Sequence, residues 1–216
     1  VLGRLTSETG DVKRPAGWEI AHVAQELSAT SRAAIEFVLD GDRGLRDLQA
    51  KLAAAESSNN GEAIAHLHGE LEHIGGYQAN SRAASLMSGL GFVPADEQRP
   101  VKDFSGGWRM RLNRARALMC RSDLLLLDEP TNRLDLDAVI WLENWLRQYR
   151  GTLLLISHDR DFLDSVCDQI LHIEQHLATL YAGNYSLFER VRAEQLANQQ
   201  AAYEKQQREI AHMHSF

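Results

Sequence analysis

The spacing of apolar residues predicts a helical segment in the first half of the chain. Between Ser31 and about Leu90, Ala, Leu, Glu and Arg dominate and proline is absent. Apolar residues recur at three- and four-residue intervals, which is helical spacing: 45, 48 and 52, then 64, 67, 71 and 74. The polar run 57–61 between them contains turn-forming Ser, Asn and Gly. The pattern therefore predicts two helices joined by a short turn, a helical hairpin.

The rest of the chain alternates between strand and helix patterns. Leu124–Leu127 and Thr152–Ile156 are continuously apolar, as expected for a parallel sheet covered by helices on both faces. A shorter strand is predicted at Trp18–Ala24. The remaining predicted elements are helices at 107–119, 135–149 and near 161–166, strands near 169–173 and 177–181, and a long polar helix from 186 onward. The predicted fold class is α/β.

Composition narrows the class of protein. With 44% hydrophobic and 25% charged residues in a chain of 216, it is typical of a soluble globular protein. The net charge of -7 argues against a protein that binds nucleic acid through its overall charge. Cys120 and Cys167 are isolated, which favours reduced thiols in the cytoplasm. No apolar run approaches the length needed to cross a bilayer, and no signal-peptide pattern begins the chain.

Two adjacent acids follow the apolar strand at 124–127. Asp128 and Glu129 would lie at the carboxyl edge of the sheet, where open α/β folds bind ligands. There Asp128 could bind Mg²⁺ through water and Glu129 could polarise an attacking water. The plainer interpretation, a buried strand followed by charged turn residues, is common for any single pattern of this kind.

Two further motifs have the same ambiguity when taken alone. Ser105-Gly106-Gly107 precedes a predicted helix, and its hydroxyl and backbone N–H groups suit an anion. The alternative is an ordinary helix cap with flexible glycines. His158 follows the second apolar strand and could reach the same ligand edge. The alternative is a structural histidine.

Taken together, these motifs resemble the ATP-binding cassette (ABC) ATPase family. Residues 104–108 look like its signature motif and 124–129 like Walker B. Residues 132–135 look like the D-loop, and 157–159 like the switch-histidine motif. Gln25, at the end of the first predicted strand, looks like the Q-loop glutamine. The motifs follow one another in the expected order, which makes the resemblance specific.

The resemblance is closer still to the ABC-F family, which comprises cytosolic ATPases with two cassettes and no transmembrane partner. The segments 105–111, 128–136 and 181–186 carry it. It implies an ABC-type P-loop NTPase core, truncated at the N-terminus, with an inserted helical arm hairpin and a C-terminal linker helix. The implied parts are a core remnant with the Q-loop at 1–30, a helical subdomain with the arm at 31–100, the signature, Walker B, D-loop and H-loop at 101–184, and the start of an inter-cassette linker helix at 185–216.

The resemblance also implies roles in the hydrolysis of ATP with Mg²⁺. Glu129 would be the base that polarises water, and Asp128 would anchor Mg²⁺. Gln25 would contact both Mg²⁺ and the attacking water. His158 would contact the γ-phosphate.

Other implied roles involve a second cassette of the same protein. Ser105, Gly106 and Gly107 would close on nucleotide held by that cassette, and Asp135 would couple the two sites. A ribosome or tRNA partner, a cytoplasmic location and no membrane insertion are also implied. The alternative is the nucleotide-binding subunit of an ABC transporter, against which the arm hairpin, the long polar tail and residues 184–186 argue.

The sequence departs from the family pattern in two respects. No GxxxxGKS or GxxxxGKT loop occurs, so we expect the chain to begin after its phosphate-binding loop. Arginines also stand where the family usually has His (Arg133) and apolar or neutral residues (Arg114 and Arg116). They either face solvent or mark a copy that has drifted.

We expect the isolated chain to bind ATP weakly or not at all, because no lysine lies in a loop that could cradle phosphates. Calorimetric titration with ATP and Mg²⁺ measures this, with the full-length protein as the control. Tight binding by the isolated chain would contradict the expectation.

Overall fold

The computed structural model describes residues 11, 13, 15–23 and 30–213, in two units that meet in sequence between Ile156 and Ser157. The first unit contains a parallel sheet with strand order β1-β2-β3. Its strands are β1 Ile20–His22, β2 Leu124–Asp128 and β3 Thr152–Ile156. The α/β class is therefore confirmed. Strand β1 is shorter than the predicted segment 18–24, because only its three residues pair with β2.

The two faces of this sheet differ in burial. Leu125 and Leu127 of β2 are buried, as is Ala21 of β1. Side chains alternate between faces along a strand, and on β3 Leu154 and Ile156 remain 43% and 59% exposed. The prediction that helices cover both faces is thus wrong for β3 within the described residues.

Helices account for most of the remaining first unit. They are α1 Ala34–Leu39, α2 Arg43–Ser57, α3 Gly61–His73, α4 Ala79–Gly89, α5 Gly106–Met119 and α6 Leu136–Arg147. Helices α2 and α3 pack together as the predicted hairpin, and Asn59 in the turn has a positive φ of 51°. Asn60 caps α3 by accepting a hydrogen bond of 3.2 Å from the amide of Ala63.

The carboxylate of Asp42 joins the base of the hairpin to two other elements. Asp42 is 3% exposed, and its Oδ1 caps α2 by accepting a hydrogen bond of 3.1 Å from the amide of Leu45. Its Oδ2 accepts hydrogen bonds from Arg82 on α4 at 2.6 Å and from Arg121 after α5 at 3.0 Å. Arg121 also donates to the carbonyl of Ile74, just beyond α3. One buried acid therefore fixes both ends of the hairpin to the helical layer.

The second unit contains an antiparallel β-hairpin and two helices. Its elements are α7 Arg160–Val166, β4 Gln169–Glu174, β5 Leu177–Ala182 and α8 Tyr185–Met213. Gln175 and His176 link the strands with φ angles of 47° and 64°, the positive values that a two-residue type I′ turn requires. Phe188 of α8 packs on Tyr181, with ring centroids 5.1 Å apart. These elements confirm the predicted ones, and none of the helices described is both long and apolar enough to span a bilayer.

We expect Asp42→Asn to lower the free energy of unfolding by about 1–3 kcal/mol, because a neutral amide binds the two guanidinium groups less strongly than a carboxylate. Both guanidinium groups are partly exposed, so water screens part of the loss. Urea denaturation followed by tryptophan fluorescence measures the change. Asp47→Asn, at an exposed position of α2, is the matched control, and equal unfolding midpoints for the two variants would contradict the role assigned to Asp42.

Candidate functional site

The chain leaves β2 through a tight turn that holds the two predicted acids. The amide of Glu129 donates a 2.8 Å hydrogen bond to the carbonyl of Ile156, at the end of β3. Glu129 has a positive φ of 48°, so the backbone bends sharply there. Pro130 next to it is fully buried. We call residues 129–135, which connect β2 to α6, the catalytic turn, after the role that the family resemblance implies for Glu129.

Further hydrogen bonds fix the catalytic turn. The amide of Asn132 donates to the carbonyl of Glu129 at 3.2 Å, and that of Leu134 to the carbonyl of Thr131 at 3.1 Å. Asp135 ends the turn and caps α6, because its Oδ1 accepts a 3.0 Å hydrogen bond from the amide of Ala138. Side chains at the end of β2 are therefore held on a rigid backbone. The Asp128 side chain is exposed and Glu129 is partly buried.

The N-terminus of α5 is exposed. Within the described part of the chain, the Ser105 side chain makes no capping hydrogen bond, which does not support the interpretation of an ordinary cap. A Cβ added at Gly106 or Gly107 would meet no described atom within 4 Å. Packing inside the chain thus does not account for the glycines, whereas close approach of a ligand or a second chain would. The amides of the first turn are available to an anion.

Arg111 connects α5 to the catalytic turn. Its Nη1 donates to Asp135 Oδ2 at 2.9 Å and to the carbonyl of Leu90 at 3.1 Å, and its Nη2 donates to the carbonyl of Arg133 at 2.9 Å. The guanidinium also lies over the ring of Trp108, 4.7 Å from the centroid. The amide of Ala138 and the charge of Arg111 lower the pKa of Asp135, so this carboxylate stays ionised at neutral pH. Helix α5 and the acid at position 135 are therefore in direct contact.

The three unusual arginines occupy different environments, so the alternative in which all of them face solvent is wrong. Arg114 is 6% exposed, and its Nη2 donates a 2.9 Å hydrogen bond to the carbonyl of Asn132. Burial, followed by the charges of Arg111 and Arg133, lowers the pKa of Arg114 to about 10. Arg116 is partly buried over the ring of Phe37, and Arg133 is exposed with a positive φ of 64°.

Two predicted site residues do not belong to the described part of the first unit. Gln25 lies outside the described residues. His158 belongs to the second unit, where it follows β3 by two residues and is exposed. Its neighbour Asp159 caps α7 by accepting a 3.1 Å hydrogen bond from the amide of Phe162. The roles of Gln25 and His158 therefore stay predictions.

The contacts of Arg111 and Arg114 with the catalytic turn were not predicted from the sequence. Positions three residues apart share one face of a helix, so this pair was identifiable as a basic face on α5. Which element that face contacts depends on how α5 packs, and the spacing contains no information about that.

Comparison with known proteins identifies the family of the chain. Residues 3–132 match the ABC transporter family, and residues 171–216 match a second family with the same description. The chain is 58% identical over 212 residues to "Probable ATP-binding protein YheS" of Escherichia coli K12. The aligned residues make up 98% of this chain and 33% of the relative. It is 42% identical to "ATP-binding cassette sub-family F member 3" of Homo sapiens over 96% of this chain and 30% of the relative. The chain thus spans about a third of the length of these relatives.

Solved structures show the same fold at low sequence identity. A complex titled as archaeal ribosomal stalk protein aP1 with archaeal ribosome recycling factor aABCE1 matches with a TM-score of 0.54 and 20% identity, over 87% of this chain and 32% of the other. A structure titled "RNase-L Inhibitor" matches with a TM-score of 0.53 and 21% identity, over 87% and 32%. The family match over residues 3–132 and the relatives named as sub-family F show that this chain belongs to the ABC-F family of ATP-binding cassette proteins.

Proposed function

We propose that this chain is part of a cytoplasmic ABC-F ATPase that converts ATP and water to ADP and phosphate. The observation that carries the proposal is the catalytic turn, which holds Glu129 on a rigid backbone directly after Asp128. Phosphoryl transfer needs mainly positioning and neutralisation of charge, and a rigid pair of acids at the end of a parallel strand supplies the first of these. The relatives named as ATP-binding proteins support the nucleotide.

Glu129 is the proposed general base. A base must approach the proton it receives closely, so its backbone has to be fixed before substrate arrives. The hydrogen bond from the Glu129 amide to Ile156 and the buried Pro130 provide that constraint on both sides. The partly buried position of Glu129 also limits the water that would compete for its carboxylate.

Asp128 fits the role of Mg²⁺ anchor. Its carboxylate is exposed at the end of β2, and Mg²⁺ is usually held by one or two carboxylates together with water and substrate phosphates. Among the residues described, no group of three or more His, Cys, Asp or Glu side chains could hold a metal. When bound, Mg²⁺ would neutralise the charge that develops on the phosphates. Gln25 is the proposed second contact to it.

The exposed start of α5 is proposed to act on nucleotide held by a second cassette. Ser105, Gly106 and Gly107 offer a hydroxyl and free amides toward solvent, which suits a phosphate presented by another domain. Asp135 would couple the two sites through its hydrogen bond to Arg111, which lies on α5. His158 is the proposed contact to the γ-phosphate.

Hydrolysis is further proposed to time release from the ribosome or a bound tRNA. The support is membership of the ABC-F family, together with a fold shared with a protein titled a ribosome recycling factor. The net charge of -7 means that contact with RNA would rely on a local surface and not on the charge of the whole chain.

We expect Glu129→Gln in the full-length protein to lower kcat for ATP by roughly a hundredfold or more, because an amide cannot accept the proton. ATP affinity should be retained, since the amide has almost the same shape. Phosphate release at saturating ATP measures kcat, and titration of a fluorescent ATP analogue measures affinity.

Asp137→Asn is the matched control, because it removes a carboxylate from an exposed position in the first turn of α6, close to the catalytic turn. It should turn over ATP at the wild-type rate. Unchanged turnover by Glu129→Gln would refute the assignment of the base.

The ribosome proposal predicts that ATP traps the Glu129→Gln protein on its partner. In co-sedimentation with purified ribosomes, the variant should pellet with ATP and stay in the supernatant with ADP. The wild-type protein with ATP should pellet less than the variant. Pelleting that does not depend on the nucleotide, or copurification with a membrane protein instead, would contradict the ribosome role and favour a transporter subunit.

A further inference from the structure

Arg114 makes an unusual contact beneath the catalytic turn. Its side chain is almost completely buried, and its Nη2 donates a hydrogen bond of 2.9 Å to the backbone carbonyl of Asn132. The other terminal nitrogen, Nη1, is also buried and has no hydrogen-bond partner among the described residues. One terminal nitrogen of the guanidinium is thus bonded to a backbone oxygen, and the other has no partner among the described residues.

Stability alone does not explain a buried guanidinium here. Among the described residues, the charged groups that influence it are Arg111 and Arg133, which carry the same sign, and no acid opposes them. A buried cation without a partner acid is costly, and replacing such groups with apolar side chains is often neutral or stabilising. A benefit other than folding would account for the arginine.

The catalytic turn needs external support. Glu129 and Arg133 both have positive φ angles, which are strained conformations for residues other than glycine. Such conformations persist when neighbouring groups fix them. The peptide groups of Asn132 lie between these two residues, and its amide donates to the carbonyl of Glu129 at 3.2 Å.

A short chain of hydrogen bonds thus runs from α5 to Glu129. Arg114 holds the Asn132 carbonyl, and the Asn132 amide holds the Glu129 carbonyl. Arg111 anchors the following residues of the turn at Arg133 and Asp135. Of these two arginines, Arg114 acts on the residue that contacts the proposed base.

We propose that Arg114 is a positioning residue for hydrolysis: through the Asn132 backbone it holds the Glu129 carboxylate in the geometry that acts on water. This inference rests on the proposed function of Glu129. It assigns no contact between Arg114 and the nucleotide.

The test compares Arg114→Met, which keeps the length of the side chain and removes its donors, with the wild-type full-length protein. We expect kcat to fall roughly tenfold to a hundredfold, as small displacements of a catalytic group do. The KM for ATP should stay within about threefold, because nucleotide binding does not use Arg114. The unfolding midpoint in urea should be unchanged or higher, and amide hydrogen exchange in residues 129–135 should be faster.

Two further variants separate positioning from a structural role. Arg116→Met removes the same charge from the same helix at a side chain that lies over Phe37, and it should leave kcat and exchange in the turn unchanged. Arg114→Lys keeps a donor for the Asn132 carbonyl, so it should recover part of the lost kcat.

The proposal is overturned if Arg114→Met matches Arg116→Met in kcat, or if its loss of kcat comes with a lower unfolding midpoint and no recovery by lysine. If the wild-type protein does not hydrolyse ATP, the proposed function fails. In that case hydrogen exchange still tests the contact, and unchanged exchange in residues 129–135 of Arg114→Met overturns the positioning role.

Discussion

The structure depends on the pairing of β2 with β3. This pairing continues for one hydrogen bond beyond the last residue of β2. Parallel pairing aligns Asp128 with Ile156, and the next amide, that of Glu129, still bonds to the Ile156 carbonyl. The chain then turns at once, because Glu129 adopts a positive φ and Pro130 cannot continue the ladder. The pairing of β2 with β3 therefore fixes the backbone of both acids.

The helical layer extends this constraint to α5. Arg111 and Arg114 donate to Asn132, Arg133 and Asp135 in the catalytic turn, and Arg111 also bonds to the carbonyl just after α4. A shift of α5 would thus be transmitted to the residues that follow Glu129. This physical connection links the exposed start of α5, which suits a ligand from another domain, to the proposed base.

Elements defined by local pattern were predictable from the sequence. Strands β2 and β3 are continuously apolar, and the α2–α3 hairpin follows helical spacing on both sides of a polar turn. The order of acids, glycines and histidine also identified the family. Local pattern does not show what lies against a surface, so the coverage of both sheet faces was predicted wrongly at Leu154 and Ile156.

The environment of Arg114 could not be predicted for the same reason. Charged residues are normally exposed, and only the packing of α5 against the catalytic turn places this guanidinium inside. The exposed faces of Gly106 and Gly107 likewise become informative once their surroundings are known. The positions of Gln25 and His158 relative to the acids remain predictions from family resemblance.

The most direct measurement is a structure of the full-length Glu129→Gln protein with ATP and Mg²⁺. We expect residue 129 to lie within hydrogen-bonding distance of a water next to the γ-phosphate, with Asp128 on the Mg²⁺ side and the α5 amides on a nucleotide from the other cassette. Nucleotide bound at another surface, out of reach of residues 128 and 129, would contradict it.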